Sequence, residues 1–211
     1  MQAGTWSKAA RRAVTRSPLL AVFLVLAILV EAGTKTAGRK PFPPDTTPAG
    51  AYARIALAVA DQHPRDIFAY LETEAQWASF TLHEVRARAR DKVRASYPAG
   101  EREKVLGAWK DEGDSVDGPD VFARLAARRG WLARLERDLS GVEHAEIQGD
   151  RATVVTARGT RYPFRRRENG IWGLTIFTAE LAAEAERATR DLDLIERDAR
   201  DYERAKTLTS P

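Results

Sequence analysis

The 211-residue chain contains no cysteine. That excludes disulfides, thiolate nucleophiles, thiolate-ligated zinc and a lipid-modified lipobox cysteine. It leaves the compartment open, because an exported domain with an adequate core needs no disulfide. Histidine is nearly as scarce: His63, His83 and His144 are the three present, and none stands in ligand spacing. His63 precedes a proline, His83 falls on a charged stretch and His144 opens a strand, so each reads as solvated or structural. There is no Gly-x-Ser-x-Gly, phosphate-binding glycine loop, dinucleotide fingerprint or His-Glu-x-x-His. Glu72 and Glu74 lie two positions apart on a helix and face apart, which rules out an acid/base pair. The acidic stretch Asp111, Gly113, Asp114, Asp117 lacks the spacing and terminal glutamate of a calcium loop. The sequence thus offers no catalytic, cofactor-binding or metal-ligating constellation, and no cofactor is expected.

Excess charge is also missing from most of the chain. The formal net charge is +4, and Lys8, Arg11, Arg12 and Arg16 account for all of it without an acid among residues 1–17. Residues 18–211 therefore balance. A nucleic-acid footprint needs clustered excess cations to displace phosphate counterions, so no nucleic-acid partner is expected. Attachment to an anionic surface would fall to Arg165, Arg166 and Arg167 alone.

What is present begins with an address. After the basic flank, 1–17, the segment 18–33 runs uninterrupted in apolar residues from Leu19 through Phe23 and Leu26 to Val30. Two readings stay open. Ala13 to Ala32 gives about 20 residues, or roughly 30 Å of helix, enough for a single-pass anchor if Arg16 snorkels to the headgroups. Val30-Glu31-Ala32 also has the small-x-small shape of a signal-peptidase site, which would release the protein after cleavage near Ala32. Both put the rest outside the cytoplasmic face, either held on the inner membrane with the domain in the periplasm or outside, or secreted. Residues 34–46, rich in Pro, Gly and Thr, read as a spacer; 47–177 form the exported domain; 178–211 form a long helix and tail.

Within 47–177 the hydrophobic period changes once. Thr47-Pro48 starts a helix that His63-Pro64 ends. A second helix from Pro64 places Ile67, Phe68, Leu71 and Ala75 on a stripe and runs, charged on most faces and exposed, to about Ser96. A short helix over Glu103 to Lys110, an acidic loop and a helix from Pro119 to about Leu139 follow. From Val142 the period is two. Gly149-Asp150 is a two-residue hairpin turn pairing Ile147 with Ala152 and Ala145 with Val154. The loop Glu168-Asn169-Gly170, with Gly170 left-handed, pairs Phe164 with Leu174, Tyr162 with Ile176 and Arg166 with Trp172. That register sets Tyr162, Phe164, Trp172, Leu174 and Ile176 on one face and Arg165, Arg167, Gly173 and Thr175 on the other. It leaves Arg166 at the rim, able to stack on Trp172. A loop at Arg158-Gly159-Thr160 then sets Val154 opposite Phe164, and the arginines read as a solvated edge. The expected fold class is α+β: a helical half packed on one face of a four-stranded antiparallel meander, with a long C-terminal helix.

Two residue sets carry the functional expectations. Tyr70, Trp77, Trp109, Phe164 and Trp172 are candidates for core or for a pocket between helices and sheet. Leu181, Ala185, Ala188, Leu192, Ile195, Ala199 and Tyr202 recur at spacings of four and three, a heptad seam. The seam either packs on the chain's own long second helix or associates with a partner or second copy.

The stretches from Thr47 to Phe80 and from Gly149 to Phe177 resemble nuclear transport factor 2-like (cystatin-like, SnoaL-like) domains of bacterial envelope proteins. The matching positions are Thr47-Pro48, Gly149-Asp150, Ala152, Val154, Phe164, Glu168, Gly170, Trp172 and Leu174, all turn and core features. The resemblance implies helices packed across a curved antiparallel sheet and a scaffold that can hold a small ligand. The chain departs from it over Glu101 to Leu139, which reads as helical, and in its terminal helix. The expected function is a non-enzymatic, membrane-anchored envelope protein whose domain binds a partner or assembles; the alternative is a cone-type small-ligand-binding domain or enzyme.

Overall fold

The computed structural model describes residues 42–209. The membrane segment with Leu19, Phe23, Leu26 and Val30 lies outside the described residues. Among the described residues, no helix is long and apolar enough to cross a membrane.

Helix α1, Pro48–Ala60, starts as expected: the Thr47 hydroxyl accepts from the Gly50 amide at 3.1 Å, and proline fills the first position. The expected second helix is broken. Pro64–Ile67 forms α2, a 3-10 turn follows over Phe68–Tyr70, and Leu71 is extended (φ −82, ψ 153) before α3 begins at Thr73 and runs to Ser96. The break has a local cause. Leu71 forms a parallel bridge with Leu174, and the Glu72 amide donates to the Leu174 carbonyl at 3.2 Å. The strand Trp172–Leu174, β4, would otherwise expose that edge. Gln76 compensates the interrupted ladder by donating to the Phe68 carbonyl at 2.7 Å.

Helix α3 buries one face instead of lying exposed all round. Ala75, Ala78, Leu82, Val85, Ala89 and Val93 form an unbroken three-and-four stripe among its arginines. Short helices follow: α4, Ala99–Gly107; α5, Lys110–Gly113; α6, Gly118–Arg128; and α7, Trp131–Glu136. Asp117 caps α6 by accepting from the Asp120 amide at 2.8 Å. The single helix expected to reach Leu139 is instead divided at Gly130, which is left-handed at φ 67. Left-handed backbone ends a helix, and glycine adopts it at least cost.

The sheet follows the order β1-β2-β3-β4, all antiparallel, over Val142–Gln148, Arg151–Thr156, Arg161–Arg166 and Trp172–Leu174. The first and last registers match expectation: Ile147 pairs with Ala152, Phe164 with Leu174 and Arg166 with Trp172. The middle register is displaced by two. Ala152, not Val154, lies opposite Phe164. The Thr156 amide donates to the Thr160 carbonyl, so the loop is Ala157-Arg158-Gly159 and ends on a left-handed glycine, as does Glu168-Asn169-Gly170. A slip of two preserves the faces, which is why the same side chains are buried. Strand β4 stops at Leu174, so Tyr162 and Ile176 are not paired. Ile147, at the β1 edge, is exposed.

Helix α1 lies along the sheet, while α3 packs chiefly against α8, Thr178–Thr209. The two long helices run parallel: Thr178 meets Glu72, Arg86 meets Asp191 at 2.8 Å and Ser96 meets Glu203 at 2.7 Å. The heptad seam is therefore internal. Leu181, Ala185, Ala188, Leu192, Ile195 and Ala199 are buried and Tyr202 packs on Tyr97. Between helices and sheet the space is filled by Phe68, Phe122, Trp131 and Phe177, with Trp131 stacked on Phe177 at 4.8 Å.

Candidate functional site

The five aromatic candidates separate. Phe164 and Trp172 are core, and the Trp172 indole donates to the Thr46 carbonyl at 3.1 Å, fastening the segment before α1 to β4. Trp109 is buried elsewhere, under the Arg86 guanidinium at 5.3 Å. Tyr70 is half-buried, and burial raises its hydroxyl above the usual range. Trp77 is a correction: it is 67% exposed and belongs to no core. Trp77 lines a cleft with Glu72, Glu74 and the three arginines, not with Tyr70 or Trp172.

A different group does converge, around Glu72. Gly173 in β4 carries no side chain, and a Cβ there would stand 2.5 Å from Glu72 N and Cα. A glycine inside a strand permits such backbone approach. Glu72 is thereby buried on the side of the sheet expected to face water. One of its oxygens accepts from the Thr178 hydroxyl and the other faces Arg165 at 3.8 Å. Arg167 donates to the Ala69 carbonyl at 2.9 Å, and burial lowers its pKa. Arg165 keeps to the exposed edge expected of it while facing Glu72, and Arg167 is the one drawn in, half-buried against the 69–72 segment. Arg166 is exposed, and among the described residues it makes no cation–π contact with Trp172.

Two clefts of about 330 Å³ each open on either side of Glu72. One is walled by Trp77, Glu74 and the three arginines, the other by Arg151, Thr153, Pro163 and Thr175. Trp77 meets Phe80 edge-on at 6.4 Å, and Phe80 is itself 43% exposed, closing on Gly118. The result is an aromatic surface beside cations, with a buried carboxylate between them.

No family model, curated protein or solved structure matches the chain. The site has to be read from its own chemistry.

Both oxygens of Glu72 are engaged, so its geometry is that of a positioning group at the start of α8. A serine–histidine contact that sequence reasoning missed lies in another place, His83 Nδ1 to Ser115 Oγ at 3.1 Å. The Ser115 hydroxyl donates to the Glu112 carbonyl at 2.6 Å, so it accepts from His83. That polarity is opposite to nucleophile activation. His63 and His144 stand on the surface beside Asp66 and Glu146. Among the described residues no group of three His, Asp or Glu side chains is placed to hold a metal ion.

The signal for the Glu72 site was Gly173, a lone glycine in a short apolar strand. Alternation puts it on the solvent face, where an absent side chain admits the Glu72 backbone.

Proposed function

We propose that the chain is a non-enzymatic, membrane-anchored bacterial envelope protein whose α+β domain is a binding module. The anchor rests on the apolar run from Leu19 to Val30 behind a basic flank. The binding surface is the side of the domain bearing Trp77, Phe80 and Arg166. The observation that carries the reading is Trp77: a large aromatic left mostly in water, flanked by a second exposed ring and by cations. Exposed aromatic and arginine groups are the commonest anchors of protein interfaces, and burying the indole would supply much of the binding energy. The partner this fits is a protein segment offering an apolar side chain next to carboxylates. The likeness to nuclear transport factor 2-like domains at the two glycine turns and the core positions of the hairpin supports a scaffold of this type.

The test is photo-crosslinking in cells from a benzophenone placed at Gln76, compared with one at Ile147 on the far strand. A discrete adduct from position 76 that disappears in Trp77→Ala supports the surface. Equal adducts from both positions would remove it. The second reading, a small-ligand domain, is favoured by the buried Glu72 carboxylate between its two clefts. It predicts a saturable small-molecule ligand displaced by Arg165→Gln.

A further inference from the structure

We propose that the cleft between α3, α4 and α5 binds a phosphate group, either free or carried on a lipid headgroup. The cleft measures about 530 Å³ and shares no lining residue with the two beside Glu72. Arg90 and Arg94 enter it from α3, Arg102 from α4 and Lys110 from α5, over a wall that includes Trp109. Only two carboxylates, Glu103 and Asp114, line it with them. Charge is thus locally in excess within a body whose total is balanced.

The cations are also held in a way that leaves their charge available. Arg90 donates to the Gly113 carbonyl at 2.6 Å, and Arg102 to the Tyr97 carbonyl at 3.0 Å. Carbonyl oxygens orient a guanidinium without neutralising it. Arg102 Nε is buried and has no hydrogen-bond partner among the described residues, a donor for which an incoming oxyanion would provide the acceptor. Lys110 has no ion pair among the described residues. Two cations are exceptions: Arg94 pairs with Asp114 of the cleft lining at 3.8 Å, and Arg90 with Asp91, outside that lining, at 3.0 Å. Three guanidiniums round one hollow suit a tetrahedral oxyanion, whose oxygens the N–H groups not already donating to Asp91, Gly113 and Tyr97 can meet.

Local packing keeps the hollow open. A Cβ on Gly113 would stand 2.8 Å from the Trp109 ring, so glycine lets the indole seat against α5. No residue of α4 is buried, and Val105 and Leu106 are only half-buried. The helix that carries Arg102 therefore rests on few buried contacts.

The test uses the full chain in neutral detergent at constant ionic strength, titrated with inorganic phosphate and pyrophosphate by calorimetry. In parallel, flotation is measured with phosphatidylcholine vesicles with and without phosphatidylglycerol. The variant Arg94→Gln with Lys110→Gln removes two exposed cleft cations; Arg190→Gln with Arg200→Gln removes the same charge from α8, and thermal melts confirm that both fold. Saturable binding that falls about tenfold or more in the cleft variant, and less than twofold in the α8 variant, is the expected result. Free pyrophosphate behaving so identifies a soluble ligand; anionic vesicles alone behaving so identify a headgroup. No saturable binding of any probe, or equal losses in the two variants, would overturn the proposal.

Discussion

Replacing Gly173 by alanine adds one methyl group where the Glu72 backbone already lies. Its Cβ would stand 2.5 Å from Glu72 N and Cα and 2.7 Å from the Leu71 carbonyl carbon, atoms that cannot rotate away. Relief requires the 71–72 segment to lift from β4, with loss of the bridge to Leu174 and of the 3.2 Å bond from the Glu72 amide. Overpacking of this kind costs about 1–3 kcal/mol, and the lost hydrogen bond about 1 kcal/mol more. The expected destabilisation is therefore about 2–4 kcal/mol, read as a lower urea midpoint with an unchanged slope. In a domain of this size it lowers the melting temperature by roughly 2–4 °C for each kcal/mol. Because the Glu72–Thr178 contact anchors the start of α8, the variant should also show faster amide exchange over the first turns of that helix. A Gly173→Ala protein as stable as the parent would refute the packing of the 71–72 segment on β4, and with it the burial of Glu72.

Three further outcomes follow from other parts of the structure. Leu181→Ala should cost about 2–5 kcal/mol, because Leu181 is fully buried in the α3–α8 interface; a monomer that melts unchanged would show the seam is not internal. Trp77→Ala should leave urea stability within about 0.5 kcal/mol, since the side chain is mostly in water; a larger loss would place Trp77 in the core. Asp120 is partly desolvated, which raises its pKa, but the Val116 amide and the Arg124 and Arg65 guanidiniums outweigh this and hold it below 3.8. A pKa lower in the folded state contributes stability above the unfolded value that is lost as pH falls through the folded one. Asp120→Asn should therefore cost about 1 kcal/mol at pH 7, and the deficit should shrink below pH 3.8 in urea melts at stepped pH; a deficit that persists into acid would contradict it.

Much of the fold was legible because local chemistry and tertiary packing agree. Thr47-Pro48, Gly149-Asp150 and Glu168-Asn169-Gly170 set a cap and two turns that the structure keeps. The last turn fixed the hairpin faces. Where reading failed, a distant contact won. Continuous helical periodicity from Pro64 to Ser96 could not reveal that Leu71 is drawn out to pair with Leu174, a partner about 100 positions away. The buried stripe of α3 was masked by the charges between its alanines, and it became visible only with α8 lying parallel to it. Gly159 was seen but placed mid-loop, although a left-handed glycine belongs last in such a turn. At the site, residue type leaves Trp77 between core and pocket, and alternation puts the arginines at a solvated edge, where Arg165 and Arg166 do lie exposed. Neither signal shows the Leu71–Glu72 segment that covers the back of β4.

Whether the domain is anchored and displayed outside the cytoplasm, as proposed, is decided by fractionation. Membrane and soluble fractions of producing cells are separated, the intact mass of the chain is determined, and protease is added from the outer side. The expected result is full-length chain in the membrane fraction, with residues beyond 46 accessible to that protease. Full-length chain in the cytosolic fraction, protected from external protease, would contradict it.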